Sequence, residues 1–152
     1  MADVVAETPC AQPVRTHADP SSQTLALRTN TLTYPGSAER VSAVRADLRP
    51  LLRDCPMGDE VILCVSELAA NAALHSRSRL PGGTFTVRAR INPGDHAQIE
   101  VEDQGGPWTP GKSDCSGHHG LDIVRALATD WGIEGDRTTR TTWARFDWPD
   151  RS

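Results

Sequence analysis

Residues 84–101, TFTVRARINPGDHAQIEV, constrain the fold more than any other stretch. Phe85, Val87, Ala89 and Ile91 alternate with polar residues, the period-2 pattern of a strand with one buried face. Asn92–Pro93–Gly94–Asp95 is a strong turn signal. Ala97, Ile99 and Val101 then alternate again. The stretch reads as an antiparallel hairpin that is apolar on one side only. A face of that kind has to be covered by another layer.

The covering layer is legible on either side of the hairpin. From Val61 to Leu74 the only charged residue is Glu67, and a helix over about 60–77 follows, with Asp59 as its expected cap. Val61, Val65, Ala69 and Ala72 fall on one side of it and are expected to pack on the sheet. Leu63, Cys64 and Leu74 fall beside Glu67 and are expected to half-enclose it. Before it, Ser37 caps a helix through AERVSAVRADLRPLL, with Val41, Val44, Leu48, Leu51 and Leu52 at helical spacing. Pro50 lies inside that pattern and kinks or ends it. A third helix is marked by Leu121, Ile123, Val124, Leu127 and Ala128. Further strands are expected at 24–33, 131–134 and 141–147. The sum is an α+β protein, a two-layer α/β sandwich: a mostly antiparallel mixed sheet with about three helices on one face.

With 152 residues the chain has the length of one ordinary domain. Residues 1–22 are rich in Pro, Ser, Thr, Ala and Asp without apolar periodicity, so they read as a disordered N-terminal tail before a domain at 23–149. A net charge of −4 argues against a general nucleic-acid binder. No apolar run reaches the roughly 18 residues of a membrane span, and MADVVAETPC lacks the pattern of a secretory signal. Cys10, Cys55, Cys64 and Cys115 are scattered, which fits free thiols in a reducing cytoplasm better than disulfides or a zinc site.

Three motifs carry candidate chemistry. Glu67 and Asn71 are four residues apart, so their side chains lie about 40° apart on the helix and can reach one point. A carboxylate on an otherwise apolar surface has to be met by something. A hydrogen bond to a neighbouring loop would do so, and so would a ligand carrying a hard cation such as Mg²⁺, which takes few protein ligands. Asp103-x-Gly105-Gly106 closes the second hairpin strand. It is either turn chemistry alone or a carboxylate that accepts from a base's exocyclic amine, with glycine letting a flat ring approach. Gly117-His118-His119-Gly120-Leu121 runs into the third helix, whose N-terminal N–H groups favour phosphate. The adjacent histidines are poorly placed for a shared metal ion. Between Asp103 and Gly117 lies an aperiodic segment rich in Gly, Pro and Ser, of the sort that is usually functional. Trp108 lies within it and reads as closing over the sheet edge, with packing on a ligand or a partner as the alternative.

The order E-L-x-x-N-A-x-x-H, D-x-G-G, variable lid, G-x-x-G-L-x-I-V resembles the Bergerat-type ATP-binding fold of gyrase, histidine kinases and MutL. It is most similar to the stand-alone branch of anti-sigma-factor serine/threonine kinases and related ATP-binding regulators abundant in actinobacteria. "HGLDIVRALATDWGIEGD" and "RTTWARFDWP" look like the end of that branch, and the resemblance runs over about residues 25–148. It implies ATP and Mg²⁺ as cofactors. It makes Glu67 the catalytic residue that polarises a water or serine hydroxyl, and Asn71 the metal ligand. Asp103 would take the adenine amine, with Gly105 admitting the base. Gly117 and Gly120 would let the lid fold over the phosphates, with Leu121 beside them. Thr141 would support Asp103 through water, Thr142 pointing to the other face.

One departure stands out. Many members carry a basic residue between closely spaced glycines. Here the glycines are separated by His118-His119, with Lys112 and Arg125 the nearest cations. Phosphoryl transfer depends on charge neutralisation at the γ-phosphate, so the departure bears on catalysis more than on binding. The resemblance implies a cytoplasmic regulator that binds ATP or ADP and a protein partner such as a sigma factor or its antagonist, without direct nucleic-acid or membrane contact. A homodimer is among the assemblies it allows. Two functions follow: a serine/threonine kinase acting on a small antagonist, or a non-catalytic binding module whose partner surface depends on nucleotide. A histidine-kinase catalytic fragment is a third, disfavoured because no phosphoacceptor segment is evident upstream.

Overall fold

The computed structural model describes residues 26–106 and 119–149. Strand β1 spans Arg28–Pro35. A 3-10 turn at Ala38–Arg40 leads into helix α1, Val41–Leu48, and a second 3-10 turn, Arg49–Leu52, follows it. Helix α2 spans Gly58–His75, strand β2 Thr84–Asn92 and strand β3 His96–Asp103. Helix α3, His119–Leu127, strand β4, Asp130–Gly135, and strand β5, Arg140–Asp147, complete the order. The strands form one sheet in the order β1-β2-β3-β5-β4, and every pairing is antiparallel.

The expected hairpin is β2 and β3. Phe85, Val87, Ala89, Ile91, Ala97, Ile99 and Val101 are all buried on its helix side. Ala144 and Phe146 of β5 extend the same apolar face. Val61, Val65, Ala69 and Ala72 of α2 are fully buried against it, as the helical spacing predicts. Val44, Leu48 and Leu52 close the core from α1 and its trailing turn, and Val124 from α3.

Several boundaries move. β1 sits four residues later than its alternation predicts at its start, because pairing with β2 decides it. Tyr34 lies opposite Phe85 and stacks on it at 5.5 Å between ring centroids, and its hydroxyl donates to Asp47 at 2.7 Å. Pro35 is tolerated at the end of this edge strand because a lost N–H costs little there. Pro50 ends α1 as expected, and the tighter turn keeps Leu52 on the core side. Asp59 is not the cap of α2: Met57 holds that position without a side-chain bond, and Asp59 and Glu60 sit in the first turn, where the helix dipole favours carboxylates. The expected tail at 1–22 lies outside the described residues. Among the described residues no helix is long and apolar enough to cross a membrane. Cys55 and Cys64 are both free thiols.

Candidate functional site

Glu67 and Asn71 stand one turn apart on the side of α2 away from its buried face, and both are partly exposed. Neither side chain has a hydrogen bond or ion pair among the described residues, so no neighbouring described loop supplies a structural partner. Their flanks differ from expectation. Cys64 is buried, but Leu63 and Leu74 are 44% and 53% exposed, so the described residues do not wall the pair in.

α2 ends in a latch that the sequence reading missed. Ser76 Oγ donates to the Ala72 carbonyl at 2.7 Å and accepts from the Ser78 N–H at 3.0 Å. Ser78 Oγ in turn accepts from the Gln104 N–H at 3.0 Å, and the Arg77 N–H donates to the Gly105 carbonyl at 2.8 Å. Both serines are buried. The C-terminal end of α2 is therefore bonded to the loop that opens immediately after Asp103. Only about 6 Å of helix axis separates Asn71 from His75 at that end. The Ser-x-Ser spacing after an apolar helix was the available signal, since short hydroxyl side chains satisfy helix ends and turns.

Asp103 is the last residue of β3 and is 4% exposed on the helix side of the sheet. Its Oδ1 accepts from the Gly105 N–H at 2.8 Å. Its Oδ2 accepts from Nε and Nη2 of Arg140 at 3.0 and 2.7 Å. Burial pushes the Asp103 carboxyl above the usual carboxylate range, and the Arg140 guanidinium and the Gly105 N–H oppose that rise. Arg140 was not singled out from the sequence. It reaches Asp103 because the two are direct partners across β3 and β5.

Two expected roles change. Gly105 has φ of +74°, and a Cβ there would lie 2.0 Å from the Arg137 carbonyl oxygen. What this glycine admits is the backbone of the β4–β5 turn, which the Gly106 N–H also bonds at Arg137 O, 3.1 Å. Thr141 is opposite Glu102 on the open face of the sheet, with Trp143 and Arg145, whereas Asp103 is on the helix face. Thr142 is the buried threonine, opposite Val101 and two rungs from the Asp103–Arg140 pair. The period of a strand puts adjacent residues on opposite faces, so Thr142 and not Thr141 shares the face of Asp103.

The remaining expected residues are only partly in view. Gly117 lies outside the described residues, as do Lys112 and Trp108. Gly120 and Leu121 fall in the first turn of α3, and Leu121 packs partly buried against the core. Arg125, the nearest cation after the glycines, lies over the Trp131 ring at 5.6 Å and within 3.7 Å of Asp122.

Residues 34–148 match the family model of the histidine kinase-like ATPase domain. The chain belongs to that family. Membership makes it an ATP-binding domain of the histidine-kinase type, and the five-stranded sheet under α1, α2 and α3 is that family's sandwich. No curated protein matches the chain. Among solved structures it is similar to the RsbU and RsbW domains of Rv1364c from Mycobacterium tuberculosis, with a TM-score of 0.62 and 19% identity. That likeness covers 82% of this chain and 34% of the other, so the chain spans about a third of the structure it resembles.

Proposed function

We propose that the chain is an ATP–Mg²⁺-binding regulator of the anti-sigma-factor kinase type, acting on a small protein antagonist. The observation that carries this reading is the Glu67–Asn71 pair on α2, which has no partner among the described residues, on the helix whose end is bonded to the Asp103 loop. Asp103 is the group for the adenine amine, with Thr142 rather than Thr141 beside it on the same face. The residues fit a hydrated Mg²⁺: Asn71 offers an amide oxygen engaged by nothing among the described residues. No group of three or more His, Cys, Asp or Glu among the described residues forms a cage that would hold an ion without the nucleotide. A bound magnesium ion would supply charge neutralisation at the phosphates. In this reading Glu67, one turn from Asn71, accepts a proton from a serine hydroxyl or a water.

The anti-sigma partner and the cytoplasmic setting of this proposal rest on the motif resemblance, and the likeness to the RsbU and RsbW domains supports its fold. Arg125 favours the non-catalytic version of the proposal. Its engagement with Trp131 and Asp122 removes the nearest downstream cation from the glycine motif, which leaves nucleotide-dependent partner binding as the second reading.

Calorimetry with ATP and Mg²⁺ tests the pocket. Micromolar-range binding is expected for the wild type, weakened in Asn71→Ala and lost in Asp103→Ala. Equal heats from all three would refute the pocket. Transfer of labelled phosphate to a candidate antagonist, wild type against Glu67→Ala, separates kinase from binding module: tight ATP binding with no transfer to any partner eliminates the kinase.

A further inference from the structure

Given the reading of Asp103 as the base-binding group, the geometry points to Arg140 as the residue that restricts the site to adenine by occupying one of the two Asp103 oxygens. A carboxylate offers about four lone-pair positions. Gly105 takes one on Oδ1 through its N–H at 2.8 Å. Nε and Nη2 of Arg140 take the two on Oδ2, at 3.0 and 2.7 Å. One position on Oδ1 is left.

Purines differ in what they bring to such a carboxylate. Adenine presents one exocyclic amine donor beside a ring-nitrogen acceptor. Guanine presents two donors side by side, N1–H and the 2-amino group, and they engage a carboxylate fully only through both of its oxygens. A carboxylate with Oδ2 already filled accepts the single donor and turns away the pair. Arg140 Nη1 has no hydrogen-bond partner among the described residues, so it remains free to donate to an acceptor next to the amine.

The arrangement is held from outside the site. Asp103 and Arg140 are direct partners across β3 and β5. The turn that launches β5 is fixed by Asp136, whose Oδ1 accepts from the N–H groups of Thr138 and Thr139 and from the Thr138 hydroxyl. The Arg140 side chain is 13% exposed and that of Asp103 is 3% exposed, so water competes weakly for the pair. The fork geometry of arginine fills both positions on one oxygen, which lysine does not do.

The test is equilibrium binding of ATP and of GTP, each with Mg²⁺, to the full chain as wild type, Arg140→Met, Arg140→Lys and Asp103→Ala, with circular dichroism of each. The wild type is expected to prefer ATP. Arg140→Met is expected to narrow the ATP-to-GTP ratio by roughly tenfold or more through gained GTP affinity, with Arg140→Lys between the two. A merely structural ion pair would weaken both nucleotides by the same factor and leave the ratio unmoved. That result, or a wild type that already binds both equally, overturns the inference. If Arg140→Met fails to fold, the ratio in Arg140→Lys decides: unmoved, the inference falls. If the wild type binds ATP, Asp103→Ala does not, and the ratio ignores residue 140, only the role of Arg140 is lost. If the wild type binds neither nucleotide, the site itself has been misassigned.

Discussion

Gly105→Ala is the substitution on which the tertiary argument can be pressed hardest. Alanine at φ +74° costs about 1–2 kcal/mol through the clash of its Cβ with its own backbone. Its Cβ would also lie 2.0 Å from the Arg137 carbonyl oxygen, a backbone atom that cannot rotate away. Relieving that contact means moving the β4–β5 turn by more than an ångström. Such overpacking costs about 1–3 kcal/mol. Loss of the Gly106 N–H to Arg137 bond adds about 1 kcal/mol. The sum is about 3–6 kcal/mol. Gly82 provides the control, since its φ is +80° and nothing lies within 4 Å of its Cβ position. Gly82→Ala should cost only the local strain, about 1–2 kcal/mol. At about 3–5 °C per kcal/mol for a domain of this size, thermal unfolding should fall by about 9–30 °C for Gly105→Ala and about 3–10 °C for Gly82→Ala. Melting curves by circular dichroism read both. Equal shifts would mean that the β3 loop and the β4–β5 turn are not in contact, and the tie around Asp103 would go with them.

Other expectations are simpler. Ser78→Ala removes the buried hydroxyl that accepts from the Gln104 N–H and should destabilise by about 0.5–1.5 kcal/mol in urea unfolding; a loss under a few tenths would argue against the latch. Cys64 is pushed up to about 12 by burial, with Glu67 and Glu60 adding to the rise, from an ordinary value of 9.0. The unfolded chain therefore releases that proton first, so its contribution to stability is complete below pH 9 and declines by up to about 1.4 kcal/mol per pH unit toward 12. Cys64→Ala should flatten the alkaline limb of a pH–Tm profile; an unchanged slope contradicts the burial. Arg88 pairs with Glu102 and Glu100 on the open face of the sheet, where it is 41% exposed, so Arg88→Ala should cost less than about 1 kcal/mol; a larger loss in the same urea assay would show that this face is covered.

The layers of this protein are written in its one-dimensional pattern. Alternation over 84–101 requires a half-buried hairpin, and the apolar run of 61–74 requires a helix to cover it, because each periodicity matches one backbone geometry only. Glu67, Asn71 and Asp103 stand out as candidates for the same reason: each interrupts a pattern at a place where an interruption is costly. Which threonine shares the face of Asp103 was not legible, because two adjacent threonines on a strand differ only in face, and the face is set by pairing with β3. Arg140 was invisible as a partner of Asp103, since 37 residues separate them in the chain and one antiparallel rung joins them in space. The same holds for Gly105, whose missing side chain is explained by a carbonyl from a distant turn. Local periodicity depends on neighbours in sequence, so the sequence carries it. Which oxygen is filled, and by whom, depends on register between strands, and only the folded sheet decides that.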